Sequence, residues 1–217
     1  TILQNPDDLG ALASSGSLPP GTARLIPGSG VDCTRFSARA KPREQCRAPR
    51  VLLPARLLWD KGVAEYISAA RQVRGAGRQV RFLIAGEPDA GNPASVPPDL
   101  VRDWVSEGVV EWLGHVEDMP TLFSSVDIVV LPSYREGLPK GLIEAAASGL
   151  ALITTNVPGC REVVTHEVDG LLVPVRDANA LAAAIERLLE DPDQAAAFGK
   201  AAREKAIARF DEAIIVG

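Results

Sequence analysis

The chain has 217 residues, 46% of them hydrophobic and 24% charged, the balance of a folded protein one or two domains long and not of a disordered one. Its 23 basic and 28 acidic residues leave a net charge of −5, and 5% are aromatic, which argues against a basic face or a stacking platform for nucleic acid. No apolar run approaches the roughly 18 residues that a membrane helix needs.

The first 30 residues read as a strand (Ile2-Leu3-Gln4), a helix from Pro6 to Ser14 and a strand from Ala23 to Pro27. They are expected to be the tail of a preceding domain or a βαβ extension. Residues 31–49 read as a linker, charged and without apolar periodicity from Ser37 to Pro49. Residues 50–217 then alternate short apolar runs with helical patterns. Strands are expected at Val51 to Arg56, Val80 to Ala85, Val109 to Leu113, Ile128 to Leu131, Leu150 to Thr154 and Leu171 to Val173. Helices are expected at Lys61 to Arg74, Leu100 to Ser106, Pro120 to Val126, Lys140 to Ser148, Ala178 to Leu189 and Asp193 to Arg209, with a helical turn at Gly159 to Thr165. The strand runs lack polar alternation, so the sheet is expected to be parallel and covered on both faces. That is an α/β, doubly wound, Rossmann-like domain. Its ligands bind beyond the carboxyl ends of the strands, near the switch point.

The chain opens at Thr1 without an initiator methionine and shows no basic-then-apolar signal pattern. It stops in the apolar Ile214-Ile215-Val216, and a piece of a longer protein is the expectation. Cys33, Cys46 and Cys160 are odd in number and form no C-x-x-C pair, so three reduced thiols are expected, as in the cytoplasm.

Several loops carry candidate chemistry. Gly28-Ser29-Gly30 looks like the opening of G-x-G-x-x-G, but Cys33 stands at the third glycine, and a tight turn leaving a strand fits as well. Arg56 and Lys61 lie at a strand end and the start of a helix. A planar fork, a point charge and the helix's free N–H groups suit a diphosphate; a surface Arg and a solvated Lys fit the spacing too. Glu136 and Glu144 bracket another helix N-terminus, with Gly137 and Gly141 leaving room for close approach to the backbone. Carboxylates accept pairs of hydrogen bonds from diols, although a loop Glu and a dipole-favoured helix Glu would look the same. Asp191-Pro192-Asp193 reads as a helix cap and not as a metal-binding Asp-x-Asp. His115 and His166 lack partners at metal-ligand spacing, and Cys160 lacks a paired His. Trp59, Trp104 and Trp112 are most simply packing residues.

Taken in order, these segments carry a resemblance: Arg56-x4-Lys61-Gly62, Gly86, Val110-Glu-Trp-Leu-Gly114, Pro132-Ser133, Glu136-x7-Glu144-Ala145, Gly159-x2-Glu162 and Asp169-Gly170-Leu-Leu-Val-Pro174. Over roughly residues 24 to 209 the chain resembles the donor-binding half of retaining GT-B glycosyltransferases of group 1. Arg135 to Lys140 and Val157 to Glu162 look most like the bacterial members that build lipid-linked surface polysaccharides. The resemblance implies that Arg56 and Lys61 hold the donor diphosphate as it leaves. It implies that Glu136 binds donor-sugar hydroxyls and Glu144 the nucleotide ribose. Backbone groups of Gly137, Leu138 and Pro139 would line the sugar and phosphate, with Gly86 beside the site. The loop Gly114, His115 and Val116 would lie near the base. Leu138-Pro139-Lys140 departs from the family's usual aromatic-Gly-apolar run, and Pro139 removes one amide donor.

The expected reaction is transfer of a hexosyl or N-acetylhexosaminyl group, with retention, from a nucleotide-sugar donor (UDP by resemblance) to a saccharide or lipid-linked acceptor. No metal or other cofactor is implied, because fixed cations and a helix N-terminus can stabilise the leaving charge. A nucleotide-sugar epimerase on the same fold and a non-catalytic nucleotide-binding module are the alternatives. The acceptor domain is expected to lie outside this chain, which by itself would be inactive. The expected place of work is the cytoplasm, with peripheral association at the inner membrane face.

Overall fold

The computed structural model describes residues 1–15, 22–26, 28, 30–38 and 47–216. Cys46, Pro27, Ser29 and most of the Ser37–Pro49 stretch lie outside the described residues. At the amino end, β1 (Ile2–Leu3), α1 (Pro6–Ser14) and β2 (Arg24–Leu25) form a small unit whose two strands pair in parallel. Asn5 caps α1, its side chain accepting from the Asp8 amide, and Pro6 at the first helical position forfeits no hydrogen bond.

The main body follows as β3 (Arg50–Pro54), a 3-10 turn (Trp59–Lys61), α2 (Val63–Gly75), β4 (Arg81–Ala85), α3 (Pro98–Ser106), β5 (Glu111–Trp112), α4 (Met119–Ser124) and β6 (Ile128–Leu131). Then come α5 (Lys140–Ala147), β7 (Ala151–Thr155), α6 (Pro158–Val163), β8 (Leu171–Val173), α7 (Ala178–Glu190), α8 (Pro192–Arg209) and α9 (Glu212–Val216). The six strands make one parallel sheet in the order β5-β4-β3-β6-β7-β8. This is the doubly wound order, and its direction reverses between β3 and β6.

The reversal distributes the helices. A right-handed crossover places a helix on one face when the sheet grows one way and on the other face when it grows back. Accordingly α2 packs against α7, and α5 packs against α8. The central strands are sealed between these layers: every residue of β6 and β7 is buried. Burying a Leu, Ile or Val side chain there contributes about 1.5–3 kcal/mol each, which is why these strands read as unbroken apolar runs.

Three departures from the sequence expectations have local causes. The helix expected from Lys61 starts at Val63, because Gly62 has φ +72° and interrupts the right-handed helical path. The expected strand Val109 to Leu113 shrinks to two residues, since the Val109 amide is taken by the Trp104 carbonyl that ends α3. The opening of the 31–49 stretch is part of the body: Val31 bridges to Asp211, and Val31, Cys33 and Phe36 are buried, with Phe36 against Phe123.

Candidate donor-binding site

The loops beyond β3 and β6 meet at the switch point. After β3 the chain stays close to its neighbour: Ala55 N–H donates to Ala85 O and Leu57 N–H to Glu87 O. Gly86 makes the approach possible. At φ +146° it sits so near that an added Cβ would stand 2.0 Å from Ala55 O. Leu57 and Leu58 are buried, and Trp59 packs edge-on against Trp104, so the two indoles are packing groups as the sequence suggested. The Trp112 indole N–H donates to Gly86 O, fixing the next turn of the rim.

The 3-10 turn ends at Lys61, and here the loop after β6 docks. Ser133 is fully buried and its hydroxyl donates to Asp60 O at 3.0 Å; the Tyr134 amide donates to the same carbonyl at 2.8 Å. Tyr134 is tied further by its hydroxyl to both carboxylate oxygens of Glu65 and by the Arg176 guanidinium over its ring at 4.7 Å. Burial and the Glu65 carboxylate push the Tyr134 phenol up to about 12. With the two loops locked together, Lys61 Nζ reaches Glu136 Oε1 at 2.6 Å. Both side chains are mostly buried, 18% and 12% exposed, so their attraction is little screened. Cys160 lies behind this pair with its thiol pushed up to about 11, chiefly by burial, which keeps it a packing group and not a thiolate.

A second group lines an open cleft of about 510 Å³ beside this pair. Its walls include Arg56, Gly86, Asp89, His115, Val116 and Glu144. Arg56 is largely exposed and pairs with Asp89 at 2.8 Å, an ion pair that solvent weakens. Glu144 projects from the second turn of α5, where burial raises its carboxyl above the ordinary range while Lys140 at 3.9 Å and Arg35 oppose the shift. Met119 closes the far end next to exposed His115.

The residues singled out from the sequence therefore fall into two adjoining sets. Arg56, Gly86, His115, Val116 and Glu144 share the cleft, while Lys61 and Glu136 form the buried pair at its side. Gly114 accepts the Gly86 amide hydrogen bond through its carbonyl. Leu138 points into the core, Pro139 caps α5 through its carbonyl, and the Gly137 carbonyl accepts from the Asn5 side chain. Asp191 caps α8, accepting from the Gln194 amide, so Asp191-Pro192-Asp193 is the helix boundary it resembled. His166 holds the Leu172 amide at the surface. The sequence reading missed Asp89, Met119 and Asn5. Asp89 lies three residues beyond Gly86, and nothing local distinguished it.

The family model described as "Glycosyl transferases group 1" matches residues 34–205. The chain is 34% identical over 169 residues to N,N'-diacetylbacillosaminyl-diphospho-undecaprenol alpha-1,3-N-acetylgalactosaminyltransferase of Campylobacter jejuni, covering 78% of this chain and 43% of that protein. It is 31% identical over 195 residues to glycogen synthase of Mycobacterium tuberculosis, covering 88% and 46%. The structure of sucrose-phosphate synthase from Thermosynechococcus elongatus superposes with a TM-score of 0.84 at 31% identity, over 99% of this chain and 55% of that one. The chain thus spans about half the length of the relatives it matches, and its sheet matches one half of a GT-B enzyme.

Proposed function

The chain belongs to the group 1 glycosyl transferases, and from that premise we propose that it is the donor-binding half of a retaining enzyme. The full-length protein moves a hexosyl or N-acetylhexosaminyl group from a nucleoside-diphosphate sugar, UDP-linked by family resemblance, to a saccharide or lipid-linked saccharide. The observation that carries this reading is the convergence of Arg56, Lys61, Glu136 and Glu144 at the carboxyl ends of β3 and β6. Two cations and two carboxylates, carried by the loops beyond β3 and β6 and by α5, suit a diphosphate flanked by two sets of hydroxyls.

Each group then has a task. Arg56 keeps four N–H donors beyond the one it gives Asp89, enough to fork onto a phosphate. Lys61 presents its charge beside the bond that breaks, and the diphosphate leaving with the electron pair is stabilised by both cations and the N-terminal amides of α5. Glu136 accepts hydrogen bonds from sugar hydroxyls and Glu144 from the ribose diol. No carboxylate other than Glu136 lies beside Lys61 among the described contacts. If Glu136 only binds hydroxyls, the acceptor attacks from the face of the departing phosphate, which takes the acceptor's proton. The acceptor domain precedes this chain, so the fragment binds nucleotide weakly and turns over nothing. A lipid-linked acceptor would draw the protein to the inner membrane face from the cytoplasm; among the described residues no helix is long and apolar enough to cross a membrane.

Calorimetric titration of the full-length protein with UDP, GDP and ADP tests the reading. One nucleotide is expected to bind, and Arg56→Ala to weaken it at least tenfold, about 1.4 kcal/mol. Folded protein that binds none of the three would overturn the proposal.

A further inference from the structure

The backbone around Glu136 is held from the other end of the chain. Asn5 is fully buried, although it sits in the small amino-terminal unit. Its Oδ1 accepts from the Asp8 amide at 2.8 Å and so caps α1. Its Nδ2 does something a cap does not require: it donates to Gly137 O at 2.9 Å, and also to Asp8 Oδ2 at 2.8 Å. The preceding carbonyl, Glu136 O, accepts from the Gly159 amide at 3.3 Å. Two consecutive carbonyls are thus pinned, one by α6 and one by Asn5. Between them they set the direction from which the Glu136 side chain leaves toward Lys61. The same contact is reinforced on both flanks. Gln4 Oε1 lies 2.6 Å from where a Gly137 Cβ would be, so its amide covers the glycine. Asp7 pairs with Arg161 of α6 at 3.3 Å.

We propose that Asn5 is a positioning residue for donor-sugar recognition, acting through the Gly137 carbonyl to hold Glu136 at its working angle. This rests on the reading that Glu136 contacts the donor sugar. Asn5 is buried against this half-buried carbonyl, so a side chain without an N–H takes away its partner, and the loop relaxes to find another. A displacement of about 1 Å at a reacting centre lowers turnover by up to 10²-fold. The nucleotide cleft, built from Arg56, His115 and Glu144, lies outside this contact and stays intact.

Asparagine's two jobs separate by substitution. Asn5→Asp keeps the cap, since Asp caps as well as Asn, but removes the N–H and faces a carboxylate to the Gly137 carbonyl. Asn5→Ser also keeps a capping oxygen and introduces no charge. In the full-length enzyme both variants are expected to lower kcat at least tenfold, with donor KM and nucleoside-diphosphate affinity within twofold of wild type. In the background of Glu136→Gln, adding Asn5→Ser is expected to lower kcat by less than twofold more, because one residue acts through the other. Glu136→Ala serves as the reference. Full turnover by Glu136→Ala would sink the sugar-binding reading and this inference with it. Loss of turnover by Glu136→Ala alongside wild-type kcat in both Asn5 variants would overturn this inference alone. So would a fall in nucleotide affinity as large as the fall in kcat, or a full additive loss in the double variant.

Discussion

Gly62 joins the two halves of the site, and Gly62→Ala measures how tightly they are joined. The residue has φ +72°, and a Cβ there would stand 2.1 Å from Pro132 O and 2.8 Å from Pro132 Cγ. The left-handed conformation costs an alanine about 1–2 kcal/mol. The carbonyl contact is roughly 1 Å inside van der Waals distance, and forcing an extra carbon into packed surroundings costs about 1–3 kcal/mol more. The sum, about 3.5 kcal/mol at mid-range, lowers Tm by roughly 7–14 °C for a chain of this size. Gly77→Ala isolates the first contribution, because Gly77 has φ +84° and nothing within 4 Å of its added Cβ. Thermal unfolding of the two variants side by side should therefore show Gly62→Ala melting well below Gly77→Ala. The same displacement separates Lys61, next to Gly62, from Glu136, four residues beyond Pro132. Nucleotide affinity and turnover should fall in Gly62→Ala and hold in Gly77→Ala. Equal Tm values for the two would refute the close-packed junction and the reasoning built on it.

Two further outcomes test the electrostatics. Burial raises the Glu144 carboxyl, so the folded chain binds more protons than the unfolded one between the ordinary carboxylate range and the raised value. Stability is therefore lost as pH rises through that window, and Glu144→Gln should melt above wild type at pH 7.5, the gap closing below about pH 4. Its nucleotide affinity should fall meanwhile, and a gap independent of pH would show that Glu144 is not the cause. Lys61→Met leaves the Glu136 carboxylate buried without its partner and should cost about 3 kcal/mol in denaturant unfolding. Adding Glu136→Gln should restore at least about 1 kcal/mol, whereas simple additivity would mean that the pair does not couple.

The local grammar of this chain was open to reading along its length. Unbroken apolar runs such as Ile128–Leu131 are what a strand buried on both faces requires, and Leu181, Ile185 and Leu188 recur at helical spacing on α7. Alternation of such segments was enough for a doubly wound parallel sheet, and Asp191-Pro192 declared a helix start by its own chemistry. Arg56, Lys61, Glu136 and Glu144 stood out at strand ends and helix starts, but that spacing suits surface residues equally well, and their roles came from the resemblance to group 1 glycosyltransferases. Boundaries were less legible where a single backbone angle decided them, as Gly62 did for α2.

Which of those side chains meet was a matter for the tertiary structure. Lys61 and Glu136 are 75 residues apart, Arg56 and Asp89 are 33, and Asn5 and Gly137 are 132. No periodicity reaches across such separations. Lys61 and Glu136 meet because the sheet reverses direction between β3 and β6, Arg56 and Asp89 because β3 and β4 are neighbouring strands, and Asn5 and Gly137 because the amino-terminal unit packs on the loop beyond β6. At Leu138 the resemblance placed only the backbone at the site, and it was packing that buried the side chain in the core. Sequence spacing determines what a segment can form by itself, since helix and strand geometry repeat over a few residues. The pairing of charges depends on which segments the sheet makes neighbours, and that is decided by burial summed over the whole chain.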